Sequence, residues 1–384
     1  MTEGPRRLLV AGVTTRPLAL SAAAAGWSIT AADAFGDLDL RACADVVVAR
    51  GEHGGFDPAA AVAATRSTLA DVVAYTSNFE NHPAAVADLA RGRRLLGNPA
   101  PVIRRVRDHL ELMRTLRRLG FETPATRAAP PPERVAATGR WLLKPRRSGG
   151  GHGTAAWHPG RPVARHQYLQ ERIRGAPGSM VFLADGRRSL ALGLSRQLVG
   201  RRAFGARGFR YCGSLMGTRL FPAEEALRHR AEALAAAVVR EYGLVGLNGI
   251  DFIASGGVPW PIEVNPRFSA SMELLERGAG LPLFTLHADA CGGRLPEAPP
   301  CPWRVVHGKA VVFARDDVRV GATRRWLGDP AMADIPHPGQ RIGRGRPICT
   351  VFASAPDRGA CLRALESKAA AVYRGLDSAV RGAA

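Results

Sequence analysis

Residues 247–266 read LNGIDFIASGGVPWPIEVNP. Two runs of alternating apolar and polar residues flank Gly256–Gly257, a pattern that predicts a β-hairpin turning at the glycine pair. Asp251 and Glu263 each lie six residues from position 257, so a symmetric hairpin sets them opposite one another. Glu263 and Asn265 are two apart and share one face of their strand. Ile250, Phe252, Ile262 and Val264 are then expected to point the other way, into a core. Two carboxylates and an amide converging on one face suit a hard cation such as Mg²⁺, completed by phosphate oxygens. Arg267 follows two residues after Asn265, where a planar guanidinium can hold a carboxylate and stabilise an oxyanion.

A second group lies upstream. Lys144 ends an apparent strand, Trp141–Lys144, and one of only three lysines (144, 309 and 368) stands there beside fifty arginines in the whole chain. A retained lysine points to a need for a compact ammonium. SGGGHG follows at 148–153, offering backbone N–H groups that can fold over phosphates. The GK[ST] of a Walker A loop is absent. Further on, Tyr168–Ile173 reads as a strand whose Gln170 and Glu171 can face an adenine edge.

Outward from these groups the chain alternates strand and helix. Arg6–Ala11, Trp27–Ala31, Asp45–Ala49 and Val72–Thr76 read as strands, with helices at 15–26, 58–70 and 83–91. This predicts an α/β unit with a parallel sheet over 1–100, Rossmann-like but without GxGxxG after Gly12. GNPAP at 97–101 opens a new unit, a helical period runs over 102–119 to Gly120, and Pro130–Pro132 reads as a linker. Strands at 181–184 and 190–195, a helix over about 223–242, strands at 308–314 and 348–353 and a closing helix at 357–374 complete the reading.

The chain has 384 residues and a net charge of +20, from 53 cationic and 33 acidic side chains. That balance raises nucleic acid as a partner, but the arginines are scattered and interleave with no aromatic run, so a basic cleft for anionic small molecules is the better reading. No apolar stretch approaches the ~20 residues of a membrane helix, and the start shows no signal region. The six cysteines (43, 212, 291, 301, 349, 361) form no CxxC pair, which points to reduced thiols and a cytoplasmic setting.

Taken in order, LLKP…SGGGHG, LQERIRG and NGIDFI…PIEVNPR resemble the motifs of the ATP-grasp superfamily of carboxylate–amine ligases. The resemblance implies an ATP-grasp domain over 101–290, with a small nucleotide-clamping subdomain at about 123–185, and a C-terminal β-rich segment with its closing helix over 291–384. It implies ATP and Mg²⁺ (or Mn²⁺) as cofactors. Lys144 would hold the ATP phosphates under a mobile lid of Ser148, Gly149, Gly150, Gly151 and Gly153. Gln170, Glu171, Arg172 and Ile173 would form the adenine hinge. Asp251, Glu263 and Asn265 would bind the metal, with Glu263 bridging two ions, and Arg267 would steady the acyl phosphate as a catalytic residue beside Lys144.

Two departures stand out. The second phosphate-binding lysine of many members aligns with His109, after Asp108, and no ribose-binding acid appears near Gly178–Ser179. The expected substrates are a small carboxylate and an amine, with Ser269, Ser271, Arg210 and Tyr211 near the acceptor. FDPAA…YTSNFEN and EVNPRFSASMELL look similar to ligases that build small cofactors, such as tyramine–glutamate ligases, and a homodimer is left open. A small-molecule kinase shares the lysine, loop and acids but needs the HRD and DFG that are missing here, and a nucleic-acid-binding protein is the other alternative.

Overall fold

The computed structural model describes residues 6–51, 55–129, 140–297 and 303–381; the Pro130–Pro132 linker and Cys301 fall outside them. Five parallel strands form the first sheet, in the order Asp45–Val48, Ser28–Asp33, Arg7–Ala11, Val72–Tyr75, Arg94–Leu96. Leu8, Leu9, Val10 and Ala11 are all buried, as a central strand covered on both faces requires. The expected strands are present, with Arg94–Leu96 added at one edge. The carboxyl ends of Arg7–Ala11 and Val72–Tyr75 open into Val13–Thr14 and Thr76–Glu80, where ligands of parallel sheets ordinarily bind.

Where the sequence suggests one helix over 102–119 there are two, Ala100–Val106 and His109–Arg118. Asp108 causes the break. Its backbone is extended and its side chain accepts from the N–H groups of Leu110 and Glu111, capping the second helix. Arg107 closes the first helix, its N–H donating to Ile103 O (2.9 Å), and so stands at the junction of the two helices.

A four-stranded antiparallel sheet follows, in the order Thr126–Arg127, Gln167–Glu171, Trp141–Pro145, Ala155–Ala156, over a small core of Trp141, Leu143, Trp157 and Leu169. The largest sheet has eight antiparallel strands. Its order is Val258–Asn265, Val245–Ser255, Ala176–Asp185, Ser189–Val199, Tyr211–Met216, Val306–Phe313, Pro347–Ala355, Met332–Ala333. The C-terminal strands thus continue the sheet that carries the acidic hairpin. Helix Glu224–Tyr242 packs on one face of this sheet and ends at Gly243, whose φ of +68° is in the left-handed region.

Asn98, in the GNPAP break, ties the first sheet to the last. Its amide donates to the Pro266 carbonyl (3.0 Å) and to Asn248 Oδ1 (2.9 Å), and accepts from the Val245 N–H (2.9 Å). Buried ion pairs join the same bodies: Arg16 lies 2.8 Å from Glu273, and Lys309 lies 2.6 Å from the same carboxylate. Among the described residues no helix is long and apolar enough to cross a membrane.

Candidate active site

Asp251 pairs with Glu263 and Gly249 with Asn265 across the hairpin, as the spacing predicts. The register arises differently from the symmetric count. The turn closes tightly, Ser255 opposite Val258, with Gly256 and Gly257 at φ +58° and +73°, a two-residue turn that needs left-handed backbone at both positions. That turn alone would set Asp251 against Ile262. Ile262 is instead an extra residue, a bulge between the Asp251–Glu263 and Phe252–Pro261 pairs, and it brings Glu263 back opposite Asp251. Ile262 consequently lines the cleft, whereas Ile250, Phe252 and Val264 enter the core.

The cleft, about 880 Å³, lies between the three sheets. Asp251, Glu263, Asn265, Arg267, Lys144, Gln170 and the Ser148–Gly151 loop all line it. Burial, and then the nearby Glu263, raise the carboxyl of Asp251, which also accepts hydrogen bonds from Ser179 and Gln197. Burial would raise Glu263 as well, but Arg107 and Lys144 hold it below the usual carboxylate range. Among the described residues no three His, Cys, Asp or Glu side chains gather as a self-sufficient metal centre. Two facing carboxylates and an amide oxygen fit a Mg²⁺ ion that draws its other ligands from water and phosphate.

Lys144 Nζ donates to Gln170 Oε1 (3.0 Å) and sits 5.7 Å from the Tyr168 ring centre. Burial lowers its pKa, which Glu263 partly offsets. Gln170 therefore braces the lysine. Glu171 accepts from Arg140 (3.2 Å) and from the Ala125 N–H (3.2 Å), so its carboxylate is already engaged. Arg172 and Ile173 line the same wall, and the Arg172 guanidinium lies 6.0 Å from the Phe209 ring centre.

The glycine loop is docked. Gly150 O accepts from the Tyr211 N–H (3.0 Å), and a Cβ on Gly151, at φ +76°, would fall 1.9 Å from Phe209 O. Gly153 does not line the cleft; it lies against Pro145, where a Cβ would come within 2.7 Å of a ring carbon.

His109 stacks on Tyr168 with ring centres 4.9 Å apart, and burial together with Arg107 pushes its pKa down to about 3. It is a neutral wall of the cleft and supplies no cation. Tyr211, Ser269 and Ser271 line the far end of the cleft. Arg210, expected beside them, turns away: its guanidinium donates to Gly345 O (2.5 Å) and lies 4.9 Å from the Phe313 ring centre.

Two contributors escape the sequence reading. Glu80, on the turn after Val72–Tyr75, is buried and accepts from Arg267 Nη2 (2.6 Å), and its other oxygen has no partner. Arg107 donates to Glu263 Oε2 (3.1 Å), Val264 O (3.1 Å), Asn81 Oδ1 (2.9 Å) and Ser148 O (3.3 Å). The only available signals were an acid in YTSNFEN and an arginine beside a helix cap.

The family model described as "ATP-grasp domain" matches residues 106–271. The chain carries an ATP-grasp domain. The matched span runs from the Arg107–Asp108 break through the clamping sheet and the acidic hairpin to Ser271. N5-carboxyaminoimidazole ribonucleotide synthetase from Thermus thermophilus superposes with a TM-score of 0.68 at 21% identity, over 96% of this chain and 98% of that one. L-amino acid ligase from Bacillus licheniformis superposes with a TM-score of 0.68 at 14% identity, over 97% and 98%. These likenesses establish the α/β ATP-grasp fold, including the parallel sheet that precedes the grasp. An uncharacterized protein of Methanocaldococcus jannaschii is 28% identical over 116 residues, 30% of this chain. This chain thus matches only 28% of that relative's length.

Proposed function

We propose that this protein is an ATP- and Mg²⁺-dependent carboxylate–amine ligase that forms an amide through an acyl phosphate. One observation carries the reading: Asp251 and Glu263 face each other in a cleft whose other walls present Lys144, the docked glycine loop and Arg267. A carboxylate oxygen of the substrate attacks the γ-phosphorus of ATP and ADP leaves. The amine nitrogen then attacks the acyl carbon, phosphate leaves, and the nitrogen gives up a proton. Lys144 binds phosphate oxygens. Asp251, Glu263 and Asn265 hold Mg²⁺, or Mn²⁺ in its place, which neutralises charge on the phosphates. Arg267 is fixed by Glu80, Asn265 and the Phe268 carbonyl, and presents a preorganised donor to the oxyanion of the tetrahedral state. Docking of the glycine loop excludes the water that would hydrolyse the acyl phosphate.

The synthetase and the amino acid ligase that share the fold support ligation, and the motif resemblance supports a role in building a small cofactor. The five described cysteines are free thiols, in keeping with a cytoplasmic setting. The deciding experiment follows ATP consumption over panels of small carboxylates and amines. ADP and phosphate released only when both substrates are present is the expected result. AMP with pyrophosphate, or a stable phosphorylated product, overturns the reading.

A further inference from the structure

The two carboxylate oxygens of Glu263 have different surroundings. Oε2 receives Arg107 Nη1 at 3.1 Å. The Glu263 side chain remains 20% exposed and lines the cleft, whereas Arg107 is 6% exposed and lies behind it. Arg107 is held by more than this pair. Val264 O shares Nη1, and Nη2 reaches Asn81 Oδ1 and Ser148 O, so acceptors from three separate segments fix the plane of the guanidinium. Arg107 caps the C-terminal end of Ala100–Val106, just before the Asp108 break, and from that helix end its side chain reaches the hairpin.

We infer that Arg107 takes the place of a second cation at Glu263, so that this site holds one divalent ion with its nucleotide. The inference rests on the ATP–metal reading above. The oxygens lining the cleft are the second one of Glu263, the Asp251 carboxylate opposite it, which also accepts from Ser179 and Gln197, and Asn265 Oδ1, which also accepts a 3.3 Å bond from Arg267 Nη2. Together they serve one octahedral ion that also takes water and phosphate oxygens. A second divalent ion bridged through Glu263 would have to share Oε2 with a fixed positive charge. In a partly desolvated site, that repulsion is much stronger than in water. The guanidinium supplies one positive charge permanently and in a set direction, and is weakly hydrated compared with a compact cation.

The test counts ions rather than turnover. Mn²⁺ is titrated into the intact protein with a saturating non-hydrolysable ATP analogue, bound Mn²⁺ is measured by equilibrium dialysis, and electron paramagnetic resonance reports whether bound ions form an exchange-coupled pair. The native protein is expected to hold one Mn²⁺ per bound nucleotide with no coupled-pair signal. Arg107→Gln, which keeps hydrogen-bonding capacity and loses the charge, is expected to take up a second ion and show the pair. Two ions in the native protein overturn the inference, as does a folded Arg107→Gln that still holds one. Should that variant not fold, the native count decides. Absence of nucleotide-dependent Mn²⁺ binding overturns this inference and the ligase reading together.

Discussion

Asp251 opposes Glu263 because Ile262 is an additional residue in its strand. A single bulge therefore decides whether the two acids share a face, since a one-residue slip would send Glu263 to the core side. Their proximity also divides their titration. Asp251 is raised to about 6, by burial and then by Glu263, while Arg107 keeps Glu263 ionised.

Metal affinity is expected to rise with pH through about 6, because Asp251 must lose its proton to bind a cation and its pKa is raised to about that value. The sign for stability is opposite. A carboxyl whose folded pKa exceeds its unfolded one, here 3.8, favours the metal-free fold below that value and loses this advantage as pH climbs toward 6. Calorimetric Mg²⁺ titrations and melting curves between pH 4.5 and 7.5 in the presence and absence of metal check both directions.

Glu263→Gln preserves shape and removes the charge. Loss of even an outer-shell partner costs ~10–100-fold in metal affinity, so a direct ligand should cost at least that. Arg107 would also lose its ion pair at 3.1 Å. The Mg²⁺ concentration for half-maximal turnover should rise by that factor and kcat should fall.

Lys144→Ala should leave the fold intact, since its ammonium meets Gln170, the Tyr168 face and the charge of Glu263, all on the wall of the cleft. A charged hydrogen bond to phosphate contributes about 1.5–3 kcal/mol, roughly a 10–100-fold loss of ATP affinity. Isothermal titration with ATP and a circular dichroism melt separate binding from folding. Unchanged ATP affinity in a folded variant would remove Lys144 from the site.

Arg267→Lys retains charge and loses the planar fork that Glu80 and the Phe268 carbonyl hold. Removing one preorganised donor costs ~10²–10³ in rate. The loss should appear in kcat with the KM for ATP almost unchanged. A loss confined to KM would assign Arg267 to ground-state binding.

Gly151→Ala places a methyl 1.9 Å from Phe209 O at a φ of +76°. The left-handed backbone alone costs about 1–2 kcal/mol for a residue with a Cβ. The loop should undock from Tyr211, making it a preferred site of limited proteolysis and weakening nucleotide binding, while the melting temperature changes little because the sheets beneath are untouched.

The acidic hairpin was legible because alternation, a Gly-Gly turn and two carboxylates coincide within twenty residues. The parallel sheet was legible from apolar runs such as RLLVA. Arg107 was hidden inside what scans as one helical period over 102–119, among fifty arginines of similar appearance. Only the Asp108 cap, a local competitor to the helix, reveals the break. Glu80 meets Arg267 across 187 positions of chain, a contact that neither residue's neighbours announce. The side chain of Arg210 sits next to Tyr211 in sequence yet packs on Phe313, because successive residues at a strand's start point to opposite sides.

The strand Tyr211–Met216 has its outer hydrogen-bonding edge filled by Val306–Phe313, contributed from beyond the ATP-grasp match at 106–271. A fragment cut down to that match would leave this edge bare, with Cys212, Leu215 and Met216 stripped of cover. It would also lack both partners of the buried Glu273–Lys309 pair (2.6 Å), which lie beyond its end. Bare, flat edges recruit other chains, so such a fragment should assemble into aggregates. The smallest piece of this chain that can be handled alone therefore extends at least through Pro347–Ala355, the strand that in turn shields Val306–Phe313.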